Sequence, residues 1–124
     1  MLKLLVVDDS NVIRSRISRV VKYRDKLKIE LVGVAKNGAE ALFIASKEKI
    51  DVVTMDITMP KMDGLETIER MLKMDSQIRI LVVSALDDKG TAISALRLGA
   101  CGFLGKPFTD EELLISLLDA VDIH

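Results

Sequence analysis

Five short runs rich in Val, Ile and Leu, each followed by a stretch of helical periodicity, limit the folds open to this chain more than any other feature. The runs are Lys3 to Val7, Ile29 to Ala35, Asp51 to Met55, Ile78 to Val83 and Cys101 to Leu104. Most are continuously apolar instead of alternating, as expected of parallel strands covered on both faces. A parallel strand needs a right-handed helical return before the next can pair with it. The pattern therefore predicts an α/β fold, a doubly wound parallel sheet of five strands with helices on both faces.

The helical stretches carry apolar stripes. Ile13, Ile17, Val20 and Val21 share one face of the first, Ala41, Leu42 and Ala45 of the second, and Leu65, Ile68 and Leu72 of the third. The fourth, Lys89 to Leu98, has a weaker stripe through Ile93 and Leu96. Its Gly90 lowers helix stability by about 1 kcal/mol relative to Ala, which makes this helix the candidate movable element. In the fifth, Thr109 and Glu112 form a capping-box pattern ahead of Leu113, Leu114, Leu117, Leu118 and Val121.

A length of 124 residues fits one domain, spanning 1–124 with no output domain attached. No apolar run is long enough to cross a bilayer, and MLKLLVV lacks the cleavage site of a secretory signal, so no membrane association is expected. A lone Cys101 cannot form an internal disulfide; it reads as a small buried hydrophobe in a strand, and the location as cytoplasmic. With a net charge of −1, no global field points to nucleic acid. The cations Arg14, Arg16, Arg19, Lys22, Arg24, Lys26 and Lys28 crowd one segment. They read as a solvated helix face and loop, with a docking patch for an acidic partner as the alternative.

Open parallel sheets bind ligands beyond the carboxyl ends of their strands. Asp8 and Asp9 follow the first run, Asp56 the third and Ser84 the fourth, while Lys106 lies just past the fifth. Topology brings these residues to one sheet edge. Three gathered carboxylates repel one another unless a cation compensates, and an all-oxygen set suits Mg²⁺, which takes one or two carboxylates plus phosphate oxygens. Lys106 and the Ser84 hydroxyl are placed to contact phosphate. A carboxylate can serve as a nucleophile and form an aspartyl phosphate, and Asp56, ahead of the loop Ile57-Thr58-Met59-Pro60, is the candidate. Ser10 is placed to cap the helix behind the acid pair.

LLVVDDS, VVTMDITMPKMDG, LVVSA and GFLGKPF, in this order and spacing, resemble the receiver domains of two-component response regulators from Leu4 onward. The resemblance implies the flavodoxin-like strand order 2-1-3-4-5. It makes Asp56 the phosphoacceptor, Asp8 and Asp9 the acidic metal pair, and Thr58 a metal ligand through its backbone carbonyl. It makes Ser84 the hydroxyl that moves toward the phosphate, Lys106 the phosphate-binding lysine before a cis proline, and Phe103 the aromatic switch. The implied activity is Mg²⁺-dependent transfer to Asp56 from a phosphohistidine of a sensor histidine kinase or phosphotransfer domain, followed by loss to water. This is a switch with intrinsic autophosphorylation and autodephosphorylation, not an enzyme. Its output is a changed face on the fourth helix, fifth strand and fifth helix, in a monomer or an activation-dependent dimer. Leu86 is apolar where many members carry a polar group, and Phe103 replaces a common tyrosine.

The VTMDITMP segment and the length resemble stand-alone chemotaxis regulators that bind a flagellar motor switch. The alternatives are a phosphorelay intermediate, a phosphate sink, or a piece of a longer regulator. Three readings from other classes fit less well. A Mg²⁺-dependent phosphohydrolase would need a second acid two residues after Asp56, where Thr58 stands, and a flavin carrier a Ser/Thr/Gly-rich loop after the first strand. A binder independent of phosphorylation would not need the full set of acids, hydroxyl and lysine.

Overall fold

The computed structural model describes residues 1–23, 28–57, 64–85 and 89–121. Strands and helices alternate as the sequence predicts: β1 (Leu2–Val7), α1 (Asn11–Lys22), β2 (Ile29–Ala35), α2 (Gly38–Lys47), β3 (Val52–Asp56), α3 (Gly64–Met74), β4 (Arg79–Ala85), α4 (Lys89–Leu98), β5 (Gly102–Lys106) and α5 (Asp110–Val121). All neighbouring strands pair in parallel, in the order β2-β1-β3-β4-β5. The candidate site residues sit slightly earlier in the chain's elements than expected: Asp56 and Lys106 are the last residues of β3 and β5, and Ser84 the next to last of β4, instead of following them.

Two apolar layers sandwich the sheet. One joins Leu5, Val7, Val53, Met55 and Val82 to Ala41, Ile68, Met71, Ala92 and Ala95, so α2, α3 and α4 cover that face. The other joins Leu4, Val6, Val52, Leu81, Val83 and Leu104 to Ile17, Val20, Val21, Leu113 and Leu117, so α1 and α5 cover the opposite face. Side chains alternate along each strand. By that alternation Asp8, Asp56 and Lys106 belong to the α1/α5 side, whereas Ser84 and Phe103 belong to the α2/α3/α4 side.

The helix starts follow their caps. The Ser10 hydroxyl accepts from the Ile13 N–H at 3.3 Å, and Asn37 caps α2 through the Glu40 N–H at 2.9 Å. The capping box of α5 is reciprocal, with the Thr109 N–H donating to Glu112 at 2.8 Å and the Glu112 N–H to the Thr109 hydroxyl at 3.1 Å. Asp63, Leu86, Asp87, Asp88 and His124 lie outside the described residues.

Three packing expectations are corrected. In α4 the residues against the sheet are Ala92 and Ala95, while Ile93 and Leu96 are 51% and 43% exposed. Small side chains let the helix sit close to the strands, which turns the larger pair outward. In α5 the buried stripe is Leu113, Leu117 and Ala120, with Leu118 exposed. Cys101 is exposed and precedes β5, although its thiol donates to the Ile80 carbonyl at 3.4 Å. Burial around the sulfur pushes its pKa up.

Candidate functional site

Asp8 leaves β1 with its N–H donating to the Ala35 carbonyl at 3.0 Å, a bond that continues the ladder to β2. Its Oδ1 accepts the Ser10 N–H at 2.8 Å, so the carboxylate is tied to the turn that starts α1. Asp8 and Asp56 are each 1% exposed, and Asp9 stands at the surface beside them. The three acids each offer an oxygen, and those oxygens lie within 4.8 Å of one another. Separate strands thus gather them into the volume that the topology predicts.

Lys106 completes the cluster. Its ammonium lies 2.9 Å from Asp8 Oδ2 and 3.5 Å from Asp56 Oδ2. The lysine is followed by the cis Lys106–Pro107 peptide bond. Burial pushes the Asp8 carboxyl above the usual carboxylate range, against the opposing pull of Lys106 and the Ser10 N–H. One lysine does not satisfy this charge. Asp8 Oδ2 is buried and, beyond the Lys106 ammonium at 2.9 Å, has no hydrogen-bond partner among the described residues. A buried oxygen with so little polar company within an all-carboxylate donor set fits a hard divalent cation. Asp8, Asp9 and Asp56 are the residues able to hold it.

Ser84 is fully buried at the end of β4, and Phe103 is half-buried on β5. Phe103 lines a surface cavity of about 260 Å³ with Lys89, Ala92, Ile93 and Leu96. The aromatic ring and the outward side of α4 therefore form one continuous surface. Thr58 lies outside the described residues.

Two neighbours of the site have no site role in the sequence reading. Arg14, read there as part of a basic face, donates from Nη1 to the Asp8 carbonyl at 2.6 Å. Its position four residues after Ser10, one turn into α1, is the signal, since helical side chains lean back toward the amino end. Gly64 starts α3 directly against the Asp56–Ile57 backbone, and a Cβ there would overlap Ile57 Cα and approach the Asp56 carbonyl to 2.8 Å.

The cation run divides. Arg14 turns toward the site, whereas Arg16 binds Asp110 at 3.2 Å and lies 4.8 Å above the Phe108 ring. Arg19 and Lys22 line a cleft of about 580 Å³ with Tyr23, Ile29 and Leu31 at the amino end of β2, away from the acids. Arg24 and Lys26 lie outside the described residues. Among the described residues no helix is long and apolar enough to cross a membrane.

Known proteins resemble this chain over most of its length. The chemotaxis protein CheY of Listeria monocytogenes is 40% identical over 117 residues, covering 94% of this chain and 96% of that protein. The solved structure of Vibrio cholerae chemotaxis protein CheY4 superposes with a TM-score of 0.85 at 34% identity, covering 98% of this chain and 99% of that one. A chain of the CheX-CheY-BeF3-Mg²⁺ complex of Borrelia burgdorferi superposes with a TM-score of 0.85 at 28% identity, covering 94% of this chain and 87% of that one. The family model of the response regulator receiver domain matches residues 4–118, which takes in every strand but the first residues of β1, and the chain belongs to that family.

Proposed function

We propose that this receiver domain is a phosphoaccepting switch in which Asp56 is the nucleophile. The observation that carries the reading is the Lys106 ammonium set between two buried carboxylates, 2.9 Å from Asp8 and 3.5 Å from Asp56. A carboxylate oxygen of Asp56 attacks phosphorus, the P–N bond to the donor imidazole breaks, and the imidazole departs with the electron pair and takes a proton from solvent. Hydrolysis reverses the modification: water attacks phosphorus, the bond to the Asp56 oxygen breaks, and inorganic phosphate leaves.

Asp8, Asp9 and Asp56 would hold Mg²⁺, with the Thr58 carbonyl as a further ligand by resemblance. When bound, the ion supplies neutralisation of carboxylate and phosphoryl charge. Mg²⁺ is named in the Borrelia burgdorferi complex, which supports this choice of cation. Lys106 meets one phosphoryl oxygen as a point charge, and the Ser84 hydroxyl donates to another. With Ser84 drawn toward the phosphate, Phe103 takes up the space released, which alters the surface shared by α4, β5 and α5.

The donor in this reading is a phosphohistidine on a sensor kinase or phosphotransfer domain, in the cytoplasm. Relatives named as chemotaxis proteins support a chemotaxis role, with a flagellar motor switch as the protein effector. The test is incubation with Mg²⁺ and acetyl phosphate followed by intact-mass measurement. A single added phosphoryl group, absent in Asp56→Ala, supports the switch. Multiple turnover without an adduct would point to a hydrolase, and no reaction to a binder independent of phosphorylation.

A further inference from the structure

The acids do not owe their placement to the strands alone. Of the three, Asp9 is the exposed one, so core packing holds it least. Its backbone, however, continues from a peptide group with a strong external partner. Arg14 Nη1 donates to the Asp8 carbonyl at 2.6 Å, a short charge-assisted bond, while Nη2 reaches Asn11 Oδ1 at 3.4 Å. The Asp8 carbonyl and the Asp9 N–H belong to one rigid plane. Fixing that carbonyl therefore fixes the direction in which the Asp9 Cα leaves the turn.

The same turn is held from other sides by the Asp8 N–H on the Ala35 carbonyl at 3.0 Å, the Ser10 N–H on Asp8 Oδ1 at 2.8 Å and the Arg14 N–H on the Ser10 carbonyl at 3.0 Å. None of these bonds restrains the plane between Asp8 and Asp9 from its carbonyl side. Without the guanidinium, repulsion from Asp8 and Asp56 is free to swing Asp9 outward, and ordering it again opposes cation binding.

We propose that Arg14 is a positioning residue for the cation site, clamping the Asp8–Asp9 peptide so that the exposed Asp9 carboxylate stays directed at its two buried partners. The inference rests on the reading of Asp8, Asp9 and Asp56 as a Mg²⁺ site. Outer partners of metal ligands commonly change affinity by 10–100-fold when removed, and about tenfold is expected here. A lysine in place of this arginine reaches the carbonyl but cannot also reach Asn11, so Arg14→Lys should recover part of the loss.

The experiment is a Mg²⁺ titration by calorimetry of the native protein, Arg14→Gln, Arg14→Lys and Arg16→Gln, with Tm measured in EDTA for each. Arg16 sits on the same helix but engages Asp110 and Phe108, so its variant reports general destabilisation. About tenfold weaker binding in Arg14→Gln, a smaller loss in Arg14→Lys and native affinity in Arg16→Gln support the clamp. Native affinity in Arg14→Gln, or an equal loss in Arg16→Gln at matched Tm, overturns it. Should Arg14→Gln not fold, Arg14→Lys decides by the same comparison. If the native protein itself does not bind Mg²⁺, the metal reading fails and the clamp fails with it, an outcome distinct from failure of the clamp alone.

Discussion

The Lys106 ammonium lies 2.9 Å from the Asp8 carboxylate, and the pair is lopsided: Asp8 is sealed from water while the lysine side chain keeps 22% exposure. The acid therefore bears most of the desolvation, which is why its pKa is raised. A carboxyl with a raised folded-state pKa holds its proton more firmly when folded. Stability then falls as pH rises from the ordinary carboxylate value through the folded one, and levels off above. Asp8→Asn, in EDTA, should be more stable than the native protein at pH 7.5 by on the order of 1 kcal/mol. Chemical denaturation across pH should show that advantage vanish on acidification.

Lys106→Met removes the cation and leaves the buried Asp8 with the Ser10 N–H on Oδ1 but no cation beside it. Because the lysine is partly hydrated, the loss at pH 8 should be about 1–3 kcal/mol, below that of a wholly buried pair. It should shrink on acidification as Asp8 takes up its proton. The same variant should slow phosphorylation of Asp56 by acetyl phosphate, followed by intact mass.

Gly64→Ala tests how closely α3 abuts Asp56. The added methyl meets backbone atoms of Asp56 and Ile57, which cannot move aside as a side-chain tip would. Gly to Ala within a helix otherwise stabilises by up to about 1 kcal/mol. A net loss of about 1–3 kcal/mol is expected instead, read as a lower denaturation midpoint, because overpacking outweighs propensity.

The reciprocal capping box makes Thr109→Ala a clean test at the start of α5. Loss of the hydroxyl should cost about 1 kcal/mol, and Thr109→Ser should restore most of it. Thermal denaturation is the measurement.

Cys101 is exposed, yet its thiol is bonded to the Ile80 carbonyl and its pKa is raised by burial around the sulfur. Thiolate is the reactive form. Alkylation by iodoacetamide at pH 8 should accordingly run several-fold slower than for free cysteine, and approach the free rate in denaturant.

Apolar runs such as LVV before Ser84 read as strands through their shortness and β-branched content, since burial on both faces leaves no alternation to go by. Once strand direction was set by the helical returns, Asp8, Asp56 and Lys106 had to meet at one edge. Helix faces were less legible. In α4 the bulky Ile93 and Leu96 looked like the buried stripe, but Ala92 and Ala95 pack inward, since close approach to the sheet favours small side chains that hydropathy counts as weak. Arg14 was hidden for a different reason. Within a dense run of cations, charge alone gave no way to tell a guanidinium aimed at a backbone carbonyl from one in solvent.

The sheet divides the molecule into two compartments, with the carboxylates and lysine in one and the strand-end serine and aromatic ring in the other. The strands between them form a wall lined mainly by Val, Leu, Ile and Met among the described residues, so in the proposed switch a change at Asp56 would reach the other compartment over the rim at the tips of β3, β4 and β5. Substitutions in the middle of the wall should then change how firmly the protein folds while leaving its response intact, and those at the tips should do the reverse.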